Sequence, residues 1–384
     1  MELVSGNRIE LLVRGAEYFP SVLAAIEAAN EFIYLETYIF ENDNTGRLIA
    51  SALCRAARRH VQVRVLVDGF GARDMAEPLR NDLRAAGVQL LVYRPKISPL
   101  TLRKQRLRRM HRKMVSMDGR VAYVGGINII DDENTPGQHP PRHDFAVRIE
   151  GNLATEVIAQ MERLWGLVAW ANLRRRWRPP KRIRPATGTS GGQPAALVIR
   201  DNLRHRADIE DAYLEAIESA REEIIIANAY FLPGMRFRRA LRSAAARGVR
   251  VHLILQGHVE YLLLHYASRA LYGSLLAAGI RIHEYNRGFM HAKVAVCDGH
   301  WSTVGSSNID PFSLLLSREA NVVIEDPAFA AILGDSLRRS MEQDAAPVPR
   351  SHWESRSVLQ KLPVWAAYAL VRLLMGMFRF GDLH

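Results

Sequence analysis

The 384-residue sequence predicts an α/β protein made of two homologous halves, each a mixed sheet flanked by helices, packed with pseudo-twofold symmetry. Three observations predict this. Blocks of sequence recur in the same order along the chain, each block alternates helical with strand-like apolar spacing, and the length suits two domains better than a single core.

In chain order, Ala25-Ile26-Glu27 with Ile33-Tyr34-Leu35 recurs as Ala216-Ile217-Glu218 with Ile224-Ile225-Ile226, each the end of an amphipathic helix before a buried strand. The run from Ala56 to Asp68 is matched by Ala244 to Gln256, helix into strand again. Leu83-Arg84-Ala85-Ala86-Gly87-Val88 pairs with Leu275-Leu276-Ala277-Ala278-Gly279-Ile280, each reading as a helix stopped by a C-terminal glycine before another strand. The expected divisions are an N-terminal half at 1–173, a basic linker at 174–194 containing Arg174, Arg175, Arg176 and Arg178, a C-terminal half at 195–345 and a tail at 346–384. No stretch of about 18 uninterrupted apolar residues occurs, which argues against a conventional spanning helix. In the tail, the apolar segment Leu362 to Phe378 is broken by Pro363 and Arg372 and flanked by Lys361 and Arg379. That pattern suits an amphipathic segment lying in a membrane interface.

Composition narrows the chemistry without choosing it. Apolar residues make up 48% of the chain, which excludes a disordered protein. Lysine and arginine number 52 against 40 acids, a net charge of +12 that points to an anionic partner: nucleic acid, a phosphate-bearing substrate or an acidic lipid surface. Cys54 and Cys297 lie far apart in apolar stretches and read as buried free thiols of a reducing compartment, not metal ligands. The N-terminus has early charges and no apolar signal region, so an intracellular location is expected.

The chemistry lies in a motif that occurs twice. His111-Arg112-Lys113, Asp118 and Gly125-Gly126-Ile127-Asn128 return as His291-Ala292-Lys293, Asp298 and Gly305-Ser306-Ser307-Asn308, every fixed position shifted by the same 180 residues. On a strand, residues two apart share a face, so each histidine sits beside its lysine, and Asn128 and Asn308 return to the same place on the next strand. Imidazole, ammonium and amide together form a cage for a phosphate. A lysine beside a histidine opposes a metal site, because an ammonium repels the cation. Two facing imidazoles can divide the labour of a two-step displacement at phosphorus, one as nucleophile and the other as proton donor and acceptor. Asp118 and Asp298 have the opposite parity and precede Gly119 and Gly299, so they read as structural hairpin-turn residues. Such a histidine needs an acid on its other ring nitrogen. Asp144 is expected to orient His111, and Glu319 to orient His291, because each acid follows its motif at an equivalent place in the repeat.

At these residues, together with Leu35-Glu36-Thr37-Tyr38-Ile39-Phe40 and the run from Trp301 to Ser313, the sequence resembles the phospholipase D superfamily and, within it, the short bacterial cardiolipin synthases of the B type. The resemblance covers about residues 6 to 340. It implies the phospholipase D fold and a phosphatidyl transfer to phosphatidylglycerol from phosphatidylglycerol or phosphatidylethanolamine, through a covalent phosphatidyl-histidine and without a cofactor or metal. It gives His111 the nucleophile role and His291 the acid/base role, while the near symmetry of the repeat leaves the opposite assignment open. It also marks Gly126, Ser306 and Ser307 as substrate-binding. The implied partners are anionic phospholipid and a membrane surface, peripherally on the cytoplasmic side of the inner membrane, with neither nucleic acid nor an obligate protein partner. Three readings compete: lipid hydrolysis with water as acceptor, nuclease activity with the same cage on a nucleotide phosphate, and a non-catalytic membrane scaffold. No stacking platform of exposed aromatics favours the nuclease, and two complete His-Lys-Asn sets oppose the scaffold.

Overall fold

The computed structural model describes residues 1–95, 108–171, 191–355 and 357–380. Most of the expected basic linker, with Arg174, Arg175, Arg176 and Arg178, lies outside the described residues. The N-terminal half contributes β1 (Val4–Val13), β2 (Phe32–Thr37), β3 (Gln62–Asp68), β4 (Gln89–Tyr93), β5 (Met114–Met117), β6 (Val121–Gly125), β7 (Arg142–His143) and β8 (Phe145–Gly151). The C-terminal half contributes β9 (Gln193–Arg200), β10 (Glu223–Asn228), β11 (Arg250–Gln256), β12 (Arg281–Tyr285), β13 (Phe289–Met290), β14 (Lys293–Cys297), β15 (Trp301–Gly305), β16 (Glu319–Glu325) and β17 (Ala345–Pro347).

The strand order β1-β8-β6-β5-β2-β3-β4 repeats as β9-β16-β15-β14-β10-β11-β12, so the duplication read in the sequence is a duplication of topology. In each half two neighbouring pairs are parallel, β2 with β3 and β3 with β4 in the first, β10 with β11 and β11 with β12 in the second, and the motif strands run antiparallel. The halves do not form separate sheets. β1 and β9, the edge strand of each half, pair antiparallel from Val4 opposite Ala195 to Asn7 opposite Gln193, and a single 15-stranded sheet results. Joining the edges satisfies backbone groups that each half would otherwise expose. It also starts the second half at Gln193, inside the range expected as linker.

Beneath the join lies an apolar cluster drawn from both halves, including Phe145, Val147 and Leu153 from the first and Val304, Val322 and Leu333 from the second. Each half keeps a further core of its own. Helix ends follow the glycines that the sequence offers: Gly87 and Gly279 take φ of 93° and 83°, and the next amides, Val88 and Ile280, bond back to Leu83 and Leu275.

The tail packs against the C-terminal half. β17 pairs with β12, Trp353 enters the C-terminal core, and the helix Val358–Phe380 packs on the helix Leu262–Arg269 with Val364, Ala367 and Val371 buried. Its other face leaves Leu359, Leu362, Trp365, Leu370 and Leu373 exposed. Among the described residues no helix is long and apolar enough to cross a membrane.

Candidate active site

Each motif strand ends in a tight turn. Asp118 and Gly119 take φ of 53° and 63°, Asp298 and Gly299 take 49° and 64°, and positive φ at both central residues matches the strand twist. The Asp118 carboxylate accepts the backbone amides of Asn30, Glu31 and Phe32 at 2.9 Å each. Asp298 does the same for Arg221, Glu222 and Glu223 at 2.7, 2.9 and 2.9 Å. These aspartates tie the hairpin to the neighbouring strand and stand at the end of the hairpin away from the histidines.

The histidines lie just before the strands. β5 begins at Met114, one residue after Lys113, and β14 begins at Lys293, so His111 and His291 occupy the segments entering the sheet. Both imidazoles line one cleft of about 470 Å³, which Asn128, Asn308, Tyr38, Tyr230, Arg109 and Arg142 also line. The two motifs are thus brought to a single site.

The acids are crossed, contrary to the sequence reading. His111 Nδ1 lies 3.0 and 3.1 Å from the two carboxylate oxygens of Glu319, and His291 Nδ1 lies 2.7 Å from Asp144 Oδ2. The cause is a swap of backbone between halves. β7 pairs in parallel with β13, Arg142 opposite Phe289 and His143 opposite Met290, and His291 N–H donates to the His143 carbonyl at 2.8 Å. Asp144, next along the chain, is thereby delivered to His291. Symmetrically, Met110 bridges Arg318 and His111 N–H donates to the Arg318 carbonyl at 3.0 Å, which delivers Glu319 to His111. With Nδ1 held by a carboxylate, each ring keeps Nε2 for chemistry in the cleft.

Of the residues expected to touch substrate, Gly126 and Ser306 lie against the acids, and Ser307 lies beside Asn308. Ser306 Oγ donates to Glu319 Oε2 at 2.6 Å, and the Ser307 hydroxyl donates to the Asn308 carbonyl at 3.2 Å. A Cβ at Gly126 would stand 2.2 Å from Asp144 Oδ1, so glycine there makes room for the aspartate. The amides are better placed: Asn128 Oδ1 accepts the Ile39 amide at 3.1 Å, which leaves its NH₂ to donate.

Sequence reading missed the residues that brace the histidine segments. The Asp68 carboxylate accepts the amide of Met110 at 2.9 Å, and the Gln256 side chain donates to the Met290 carbonyl at 3.1 Å, so each steadies the residue before a histidine. The signal was present, since Asp68 and Gln256 end the matched blocks of the repeat. Glu260 on the cleft wall had no motif to mark it.

Burial dominates the electrostatics. It holds both histidines below their usual pKa, His291 well below because Lys293 and Arg142 add their repulsion, whereas Glu319 pulls His111 back up. Burial also lowers Lys113 to about 7 and Lys293 to about 8, and raises the Asp144 carboxyl. In the free protein the imidazoles are therefore neutral near pH 7, with Lys293 mostly cationic and Lys113 close to its midpoint beneath them. Among the described residues no three His, Cys, Asp or Glu side chains group to hold a metal ion.

A family model described as "Cardiolipin synthase, PLD-like domain" matches residues 22–165 and 213–341, once in each half. The chain belongs to this family of the phospholipase D superfamily. More particularly, it is 42% identical over 353 residues to cardiolipin synthase B of Escherichia coli strain K12, covering 92% of this chain and 84% of that one. It is 30% identical to the major cardiolipin synthase of Bacillus subtilis, over 87% of this chain and 69% of that protein. In structure it is similar to phosphatidylserine synthase of Haemophilus influenzae, with a TM-score of 0.69 over 95% of this chain and 94% of that one; at 13% sequence identity this likeness concerns the fold.

Proposed function

We propose that this chain is a cardiolipin synthase that moves a phosphatidyl group, through a phosphohistidine, onto the headgroup hydroxyl of phosphatidylglycerol. The observation that carries the reading is the pair of imidazoles in one cleft, each anchored by the other half's carboxylate, in a chain 42% identical to proteins named cardiolipin synthase B. His111 Nε2 attacks phosphorus and the P–O bond to the donor's headgroup alcohol breaks, with the proton supplied by His291. The phosphatidylglycerol hydroxyl then gives its proton to His291 and attacks; the P–N bond breaks, cardiolipin leaves and His111 is restored. Glu319 keeps the Nδ1–H tautomer and offsets the positive charge of the phosphorylated ring. Lys113, Lys293, Asn128 and Asn308 balance and hold the phosphoryl oxygens. His291 is neutral in the free protein, and the incoming phosphodiester's charge, set among Lys113, Lys293 and Arg142, restores the basicity that proton donation requires.

Association is peripheral, on the cytoplasmic face of the inner membrane, with phospholipid as substrate and surface. The exposed face of the helix Val358–Phe380 supports this, as does its contact with the helix Leu262–Arg269, at whose start Leu262 is exposed beside Tyr261, an exposed residue of the cleft wall. Replacing Leu362, Trp365 and Leu373 together by glutamate should release the protein from phosphatidylglycerol vesicles in a sedimentation assay. Persistent sedimentation would move the anchor elsewhere.

A mass-spectrometric product assay with phosphatidylglycerol, with and without phosphatidylethanolamine, tests the activity. Cardiolipin is the expected product. Phosphatidic acid alone would make the protein a lipid hydrolase, and no lipid turnover together with cleavage of a nucleic acid would make it a nuclease.

A further inference from the structure

The cleft is built for an anion, yet among its described lining residues are two carboxylates, Asp310 and Glu260. Asp310 is engaged locally: its Oδ1 accepts the Ser313 amide at 3.1 Å. Glu260 is different. Its Oε2 is buried without a hydrogen-bond partner, and it shares the cleft wall with Tyr261, Tyr230, Arg142 and both histidines. Burial raises its carboxyl to about 7 against the pull of Arg142 and Lys293. The acid bonds Tyr261, but an oxygen left unpaired beside an anion site weakens phosphodiester binding unless some other part of a substrate presents a donor to it.

Resting on the synthase reading, we infer that Glu260 recognises the acceptor alcohol, its free carboxylate oxygen taking a hydrogen bond from the headgroup hydroxyl adjacent to the one that attacks phosphorus. The acceptor glycerol has two hydroxyls in reach of one site: one loses its proton to the imidazole and forms the new P–O bond as the P–N bond breaks, and its neighbour is held. A monohydroxy alcohol has no second group to hold, and water has none on a carbon frame. Glu260 therefore favours transfer over hydrolysis and a diol over a simple alcohol. An ammonium headgroup on the donor offers the same acid a donor group, so the test separates the two.

The full chain and its Glu260→Gln and Glu260→Asp variants are given phosphatidylglycerol in detergent micelles with deuterium-labelled glycerol or 1-propanol as competing acceptor, and all lipid products, including labelled phosphatidylglycerol, are counted by mass. Glu260→Gln should lower the ratio of transfer to hydrolysis on the order of tenfold and abolish the preference for glycerol over 1-propanol, while slowing donor consumption less. Glu260→Asp should recover part of the preference, with folding checked by melting temperature. Unaltered product ratios, or a parallel fall in every product, would overturn the inference. So would an effect confined to phosphatidylethanolamine as donor, which would assign Glu260 to the ammonium. If the unaltered chain makes phosphatidic acid alone from every acceptor, the synthase reading fails instead.

Discussion

His111 and His291 enter the cleft by the same backbone plan and are held by different means. Both carboxylate oxygens of Glu319 meet His111, and Ser306 braces that acid from behind at 2.6 Å. Asp144 offers His291 one oxygen, while its other accepts the Phe145 amide at 2.8 Å. The longer acid comes with a serine, the shorter one with Gly126, whose missing Cβ leaves it space. Both lysines donate to their own histidine's carbonyl, but Lys113 lies under the Tyr38 ring, whereas Lys293 also sits 2.8 Å from His291 Nδ1. Duplication supplied one plan twice, and these local substitutions divide it into a site with two chemically distinct halves.

The largest expected effect is on the histidines themselves. His111→Ala and His291→Ala should each reduce transfer by on the order of 10⁴-fold or more without loss of fold, since each removes half of a unit. Acid-quenched samples with radiolabelled donor should retain a covalent lipid adduct in the His291 variant and lose it in the His111 variant; the reverse would exchange the roles.

The acid supports come next. Gly126→Ser drives a side chain into Asp144 and should lower the rate by about a hundredfold, an oriented acid group being displaced. Ser306→Ala removes one charge-assisted hydrogen bond from Glu319 and should cost roughly tenfold. Equal, small effects would mean that the two acids are not supported differently.

The lysines set a pH dependence. With Lys113 lowered to about 7 and Lys293 to about 8, an oxyanion that does not itself titrate in this range, such as sulfate, should inhibit uniformly below about pH 6 and weaken as pH rises through 7 and 8. The sign follows from loss of positive charge on deprotonation, at about one decade per unit for each proton lost. Inhibition that stays constant to pH 9 would contradict the lowered lysines.

The smallest effect lies far from the site. His60 has φ of 67° where the matched residue of the second half, Gly248, has 91°. His60→Gly should raise stability by about 0.5–1 kcal/mol in chemical denaturation, glycine being free of the left-handed penalty. A lower stability would show that the His60 side chain contributes more than its backbone strain costs.

Much of this was legible in the sequence because duplication repeats its signals. The helix-stopping glycines, the turn aspartates and the His-Lys-Asn sets each occur twice in register, and the strand order repeats with them. The crossed acids were not legible: a pseudo-twofold repeat puts an equivalent acid after each motif, and whether it turns to its own histidine or the other depends on β7·β13 and the Met110–Arg318 bridge. Those contacts are too short to carry a hydrophobic pattern. The contacts of Gly126 and Ser306 with the acids were not legible for a related reason, since small residues near a phosphate site serve equally to approach a ligand or to seat an acid. In the tail helix both faces are apolar, so periodicity could not show that Val364, Ala367 and Val371 turn inward while Leu362 and Trp365 face out.

The central claim, that each half supplies the acid for the other half's histidine, is tested most directly by nitrogen-15 NMR of the histidine side chains in the full chain and in Glu319→Gln and Asp144→Asn. Carboxylate-bonded Nδ1–H protons resonate far downfield, and His111→Ala and His291→Ala assign the two signals. Glu319→Gln should remove or shift the His111 signal and leave that of His291, and Asp144→Asn should do the opposite. If Asp144→Asn instead perturbs His111 while Glu319→Gln perturbs His291, the acids serve their own halves and the crossed site is wrong.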